Sequence, residues 1–238
     1  MRMTWRDLLF AHWPVSPDAL RPHIPETLEL DTFDGSAWLG VVPFRMDGVR
    51  LRRLHGLPVL PGTGAFPELN VRTYVRAGER SGVWFFSLDA GSRLAVRGAR
   101  AWFGLPYFDA RIKVDTDVRD ARGEGHHVGY SSRRIHRGAP PAAFEATYHP
   151  TGPGSVALSG SLDRWLTERY CLFTLDRRGT MRVGDIHHVP WTLHQAEAEI
   201  RANTMAEPLG LALEGEPVLH FAHRLDVVAW SPVRLDRS

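Results

Sequence analysis

The clearest alternation of apolar and polar positions lies at residues 69–76, LNVRTYVR. Leu69, Val71, Thr73 and Val75 share one face, while Asn70, Arg72, Tyr74 and Arg76 share the other. Successive side chains of a strand point to opposite faces, so this period of two predicts a β-strand. Gly78 and Gly82 bracket a turn, and VWFFSL at residues 83–88 predicts the returning arm of a hairpin. Further short apolar or alternating runs predict strands at residues 37–44, 111–118, 126–132, 144–149, 155–159, 170–175 and 180–186, with one or two more in 219–233.

Helical spacing is rarer. Residues 92–103 carry apolar side chains at 94, 95, 96, 99, 102 and 103, and Gly104 followed by Pro106 supplies a stop. Ser16-Pro17-Asp18 reads as a capped helix start that Pro22 and Pro25 end near His23. Residues 161–169 and 196–203 predict two more short helices, and residues 45–65, rich in Gly, Pro and Arg, a long loop with room for one short strand. About ten short strands with a few helices, and no βαβ alternation, define an α+β domain built on an antiparallel barrel or sandwich. Residues 1–238 show no linker or repeat and read as a single domain.

Composition narrows the partners. Apolar residues make up 43% and charged residues 24% of 238, an ordinary globular balance. The net charge is +2 and the arginines are scattered, which gives no basic stripe for nucleic acid. No apolar run approaches the roughly 18 residues of a membrane span, and the N-terminus MRMTWRDLLFAHWP lacks a secretory pattern. One cysteine, Cys171, excludes an intrachain disulfide and fits a reducing compartment. A cytoplasmic protein without membrane or nucleic-acid partners is expected.

Family resemblance rests on particular segments. Residues 98–112, GARAWFGLPYFDARI, resemble the part of acetoacetate decarboxylases where a helix ends in a Gly-aromatic-Pro-Lys-Lys turn. The first lysine of that turn forms a Schiff base in those enzymes; here Tyr107 and Phe108 stand in the two lysine positions. Residues 16–30, the hairpin at 69–88 and Glu68 ahead of it follow the same order as in that family. Closer still is the YqjF-like family, a relative of the decarboxylases with no known function. HWPV, TFDGSAWLGVVPF, FPELNVRTYV, GVWFFSLDA, GLPYF, ERYCLFT, IHHVPW and LHFAHRLDV carry that resemblance along nearly the whole chain. It implies a cone-shaped antiparallel β-barrel, or curved sheets, enclosing a pocket. It implies no reaction. Since related barrels assemble, a homo-oligomer is compatible with it.

The candidate chemistry follows from the hairpin. Glu68, Asn70, Arg72 and Tyr74 share one face, which is either a hydrated exterior or the polar lining of a ligand pocket. The resemblance places Glu68 in the pocket, with Arg72 able to hold a carboxylate by a two-pronged bond. Tyr107 can offer a phenolic hydrogen bond and Phe108 can shape the cavity. Lys113, the single lysine, sits between Ile112 and Val114 and points to solvent if those two face the core. The twelve histidines include the doublets His126-His127 and His187-His188, which point to opposite faces of a strand and show no metal-ligand spacing. No nucleophile elbow or phosphate loop occurs, so no metal or cofactor is expected.

Two functions remain open. The first is binding of a small apolar or carboxylate- or keto-bearing metabolite, its polar end anchored by Arg72 and Tyr107, with Asn70, Tyr74 and Phe108 as further ligand-binding residues. The second is lyase, isomerase or hydratase chemistry on a keto-acid-like substrate. There Glu68 is the acid/base, Arg72 holds the carboxylate and Tyr107 polarises the carbonyl. Schiff-base decarboxylation is disfavoured by the two aromatic residues.

Overall fold

The computed structural model describes residues 1–50, 64–118 and 125–235. Among them, thirteen strands form one mixed sheet. They are β1 (Arg2–Val15), β2 (Glu29–Leu30), β3 (Ala37–Arg50), β4 (Ala65–Ala77), β5 (Arg80–Ala90), β6 (Tyr107–Val118), β7 (His127–Arg134) and β8 (Ala143–Ser155). β9 (Cys171–Leu175), β10 (Met181–His187), β11 (Leu193–Asn203), β12 (Val218–Ala229) and β13 (Val233–Arg234) complete it. The helices are α1 (Pro17–Leu20), extended by a 3-10 turn at Arg21–His23, α2 (Arg93–Phe103) and α3 (Leu162–Thr167). None of them is long and apolar enough to cross a membrane.

The strand order is β13-β10-β9-β5-β6-β7-β8-β11-β12-β1-β3-β4-β2, and β4 also pairs with β5 and β10 with β12. Those two extra pairings join strands far apart in the order, so the ladder runs in closed circuits. All-antiparallel pairing is not what forms: β5 runs parallel to both β6 and β9. The first of these parallel contacts is made possible by α2, which crosses over between β5 and β6 as parallel pairing requires.

β1, β3, β4 and β12 separate two cores. Phe10, Val42, Phe44 and Ala222 pack into one, while Leu9, Leu39, Val41, Leu69, Val71 and Phe221 pack into the other. Burial on both faces explains the unbroken apolar runs LLFAHW in β1 and AWLGVV in β3. In β1 the period of two is also broken physically. Asp7 takes a left-handed φ of 53°, and the register to β3 shifts between Arg6 and Ala11. An Asp tolerates that conformation better than most residues, yet the bulge turns the strand and hides it from any alternation test.

Residues 196–203, expected as a helix, lie in β11 instead. Ala and Glu favour helices, but AEAEIRA also alternates: Glu197, Glu199 and Arg201 point out while Ala196, Ala198 and Ile200 pack on the second core. Pairing with β8 decides between the two periods. The predicted loop at 45–65 is likewise shorter, because β3 continues to Arg50 and β4 starts at Ala65; residues 51–63 lie outside the described part. The expected strand at 155–159 reduces to the last residue of β8.

α2 forms as its pattern predicts. Ser92 Oγ accepts the Ala95 N–H at 3.2 Å at the start, and Gly104 ends the helix at φ 67°. A side chain on Gly104 would also meet the Leu175 carbonyl at 2.8 Å, so glycine is required there twice over.

Candidate functional site

One face of β4, the first residue of β6 and the inner face of α2 converge on an interior cavity of about 360 Å³. Its walls are chiefly apolar, with Leu8, Val42, Phe44, Phe85, Leu88 and Trp191 among them. Glu68, Asn70 and Arg72, at alternate positions of β4, supply polar groups, and Tyr107 adds a hydroxyl. The fold brings Tyr107 there because α2 ends sharply at Gly104 and the chain re-enters the sheet with Tyr107 opposite Leu88.

Tyr107 Oη donates to Glu68 Oε2 at 2.9 Å. Both residues are buried, with 2% of Glu68 and 8% of Tyr107 exposed. Burial pushes the Glu68 carboxyl up to about 8; the Tyr107 bond opposes the rise and the nearby Asp89 adds to it. The Tyr107 hydroxyl is itself pushed upward, by burial first and by Glu68 second, so it stays protonated. Glu68 is therefore a largely neutral carboxylic acid near pH 7. Its backbone is fixed too, since Tyr130 Oη donates to the Glu68 carbonyl at 2.8 Å.

Asp89, one residue from Ala90, the β5 partner of Glu68, is gripped by Arg134 through bonds of 2.7, 3.0 and 3.1 Å. Burial raises the Asp89 carboxyl while the Arg134 fork pulls it back. The Asp89–Arg134 pair is thus held outside the cavity lining, and Glu68 carries its proton inside.

Arg72 makes no ion pair among the described residues, with Glu68 or with any other carboxylate. Its Nη2 donates weakly to the Leu166 carbonyl at 3.4 Å, its Nε has no partner, and its guanidinium lies 5.3 Å from the Phe10 ring centroid. Donors remain available to a ligand. A row across three strands supports it: Gly40 of β3 pairs with His12 of β1 on one side and Arg72 of β4 on the other. A Cβ on Gly40 would lie 2.9 Å from the His12 ring and 3.4 Å from Arg72 Cγ. The missing side chain gives both neighbours their space.

Tyr74, expected to contact a ligand, does not line the cavity. It shares the face of Glu68 but lies further along β4, where its hydroxyl donates to the Leu166 carbonyl at 2.7 Å and meets His12 Nε2 at 2.6 Å. Burial lowers His12 well below its ordinary range. The neutral ring donates from Nε2 to Tyr74, leaving Nδ1 without a partner. Phe108 also misses the cavity. Strand alternation turns it opposite to Tyr107, and its ring lies 4.3 Å under the Arg134 guanidinium and 5.5 Å from His136.

Lys113 is exposed, as the alternation of β6 predicts, and borders an open outer groove beside Glu145 and Arg201. That groove is larger, about 1020 Å³, but its charged side chains are mostly solvated and it contains no buried acid. The histidines group differently from their sequence doublets: His223 lies between His126 and His194, with ring centroids at 5.2 and 4.9 Å. No group of three His, Cys, Asp or Glu among the described residues is arranged to hold a metal ion.

His188 and Trp191 of the IHHVPW segment enter the cavity wall, which no local pattern announced. Trp191 stacks on Trp5 at 6.0 Å, and burial keeps His188 neutral by lowering its pKa.

The chain that builds this cavity matches a known family of sequences. Residues 2–226 match DUF2071, described as an uncharacterized conserved protein family, and the chain belongs to that family. The uncharacterized protein YqjF of Bacillus subtilis is 48% identical over 235 residues, covering 98% of this chain and 91% of its own. Among solved structures, an acetoacetate decarboxylase-like enzyme from Sphingomonas wittichii superposes with a TM-score of 0.65 at 14% identity, covering 99% of this chain and 92% of that one. The enduracididine biosynthesis enzyme MppR, solved with pyruvate bound, gives 0.65 at 13% identity over 99% and 90% of the two chains. Acetoacetate decarboxylase from Legionella pneumophila gives 0.61 at 16%, over 98% and 86%. At such identities the likeness is one of fold.

Proposed function

We propose that the closed circuits of paired strands form a barrel-like wall around the cavity, and that the protein is an acid–base enzyme acting on a small, largely apolar carbonyl compound with one anionic end. The observation that carries this reading is the Glu68–Tyr107 pair: a buried carboxyl at about 8, hydrogen-bonded at 2.9 Å inside an apolar cavity. A carboxylic acid with that pKa can both give and take a proton near pH 7. Tyr107 occupies Oε2, which leaves Oε1 to exchange the proton with the substrate. Arg72 receives the anionic end through its free donors, and Asn70, whose Oδ1 has no partner, adds a polar contact. The three support proton transfer next to a carbonyl, as lyases, isomerases and hydratases need. Tyr107 and Phe108 support the absence of Schiff-base chemistry, as does the exposure of Lys113.

Binding without turnover is the second reading, favoured by the preponderance of apolar wall. Incubation with medium-chain 2- and 3-keto acids in D2O, followed by proton NMR, separates the two. The enzyme reading expects deuterium to enter next to the carbonyl, and Glu68→Gln to stop it. Thermal stabilisation by the same acids, lost in Arg72→Ala but without exchange in the wild type, would leave only binding.

A further inference from the structure

We propose that the ligand is bipartite, with its apolar body in the cavity and a phosphate-bearing head outside, held on an arginine groove that adjoins the cavity mouth. This rests on the reading that the cavity accepts a small molecule, and it adds the chemistry of the part left outside.

The mouth is marked by side chains that are wall and surface at once. Leu94 and Trp230 line the cavity, yet 54% and 45% of their surfaces are exposed. Both belong to segments that continue into a second depression of about 390 Å³. Phe103, at the other end of α2, lines both spaces, and Pro232, two residues after Trp230, lines the second.

Arg100, Arg177, Arg178 and Arg182 surround this second depression against one carboxylate, Asp176. Asp176 is already engaged. Its Oδ2 accepts from Arg182 Nε at 2.9 Å, and its Oδ1 accepts the backbone N–H groups of Arg178 and Thr180 at 2.9 and 3.0 Å. Arg177 and Arg178 are exposed and make no ion pair with any carboxylate among the described residues. Arg234 of β13 sits opposite Arg182 in the sheet register, and Arg93 and Arg97 line the exposed side of α2.

Arg182 is paired with Asp176 and Arg100 donates to the Tyr107 carbonyl at 2.8 Å, so Arg177 and Arg178 are the groove's uncompensated charges, and an anion bound between them offsets their repulsion. Their planar forks match phosphate oxygens, and several together suit a multiply charged head better than one carboxylate. A ligand end inside the cavity meets Arg72, so these arginines serve the opposite end. The shared chemistry is a phosphate ester on an apolar chain, whether a simple alkyl phosphate or an acyl thioester of a phosphorylated carrier such as coenzyme A.

The test is titration calorimetry of the whole protein with octanol, octyl phosphate and octanoyl-coenzyme A, repeated on the double variant Arg177→Glu/Arg178→Glu. The expected result is an affinity gain of about tenfold or more for a phosphate-bearing ligand over octanol. The double variant loses that gain only, and the ligand showing it identifies the source of the head. Octanol binding with no gain from phosphate, or a gain that survives both charge reversals, overturns the proposal and leaves the cavity reading intact. If none of the three binds, the cavity reading falls first and takes this one with it.

Discussion

Replacing Glu68 by Gln should change how stability depends on pH, by an amount that follows from burial. The carboxyl titrates at its ordinary 4.5 in the unfolded chain and at about 8 in the fold. Between those values the folded protein holds a proton that the unfolded chain has released, so stability falls as pH rises. The slope from one such group is about 1.4 kcal/mol per pH unit. Across the full interval the loss reaches about 5 kcal/mol; from pH 5.5 to 8 it is about 3 kcal/mol. Below 4.5 the Glu68 contribution is fully present, and above about 8 it is gone. Gln keeps the acceptor for Tyr107 Oη but cannot titrate. Urea unfolding of both proteins from pH 5.5 to 9 gives a difference curve in which every other titration, including that of His12, cancels. The curve should decline through this range and flatten beyond pH 8. Parallel stability curves would show that Glu68 is ionised in the fold and that the acid–base assignment is mistaken.

Other consequences are equally concrete. Gly40→Ala forces a Cβ to within 2.9 Å of a fully buried His12 ring, and should cost about 1–3 kcal/mol in urea unfolding. Tyr74→Phe strands the Leu166 carbonyl and the His12 N–H, with an expected loss of about 1–3 kcal/mol and no direct loss of a ligand contact. Arg134→Ala leaves the Asp89 carboxylate buried without its counter-charge, an expected cost of about 3–5 kcal/mol that Asp89→Asn in the same chain should partly relieve. Borohydride treatment with acetoacetate or pyruvate should add no mass at Lys113, and an adduct there, read by intact and peptide mass, would reinstate imine chemistry.

How much of this could be read from the sequence depended on whether the decisive contacts were local. The alternation of β4 put Glu68, Asn70 and Arg72 on one face, and the stop signals of α2 fixed where Tyr107 re-enters the sheet. Their meeting across 39 positions was supplied by family resemblance rather than by any period. β1 escaped notice because its bulge at Asp7 breaks the pattern, and β11 because Ala and Glu read as helix until β8 pairs with it. Tyr74 shows the limit of a face argument. It points to the same side as Glu68, yet the cavity ends before it and His12 of β1, 62 positions earlier, meets its hydroxyl. Phe108 fails for the opposite reason, since neighbours in a strand cannot both face inward.

Carbon-13 NMR of glutamate-labelled protein, with Glu68→Gln to assign the signal, reads the buried carboxyl without any ligand. A Glu68 side-chain resonance that titrates with a midpoint near 8 is the expected result. A resonance that titrates in the ordinary carboxylate range would leave the cavity with an anion where the chemistry needs an acid.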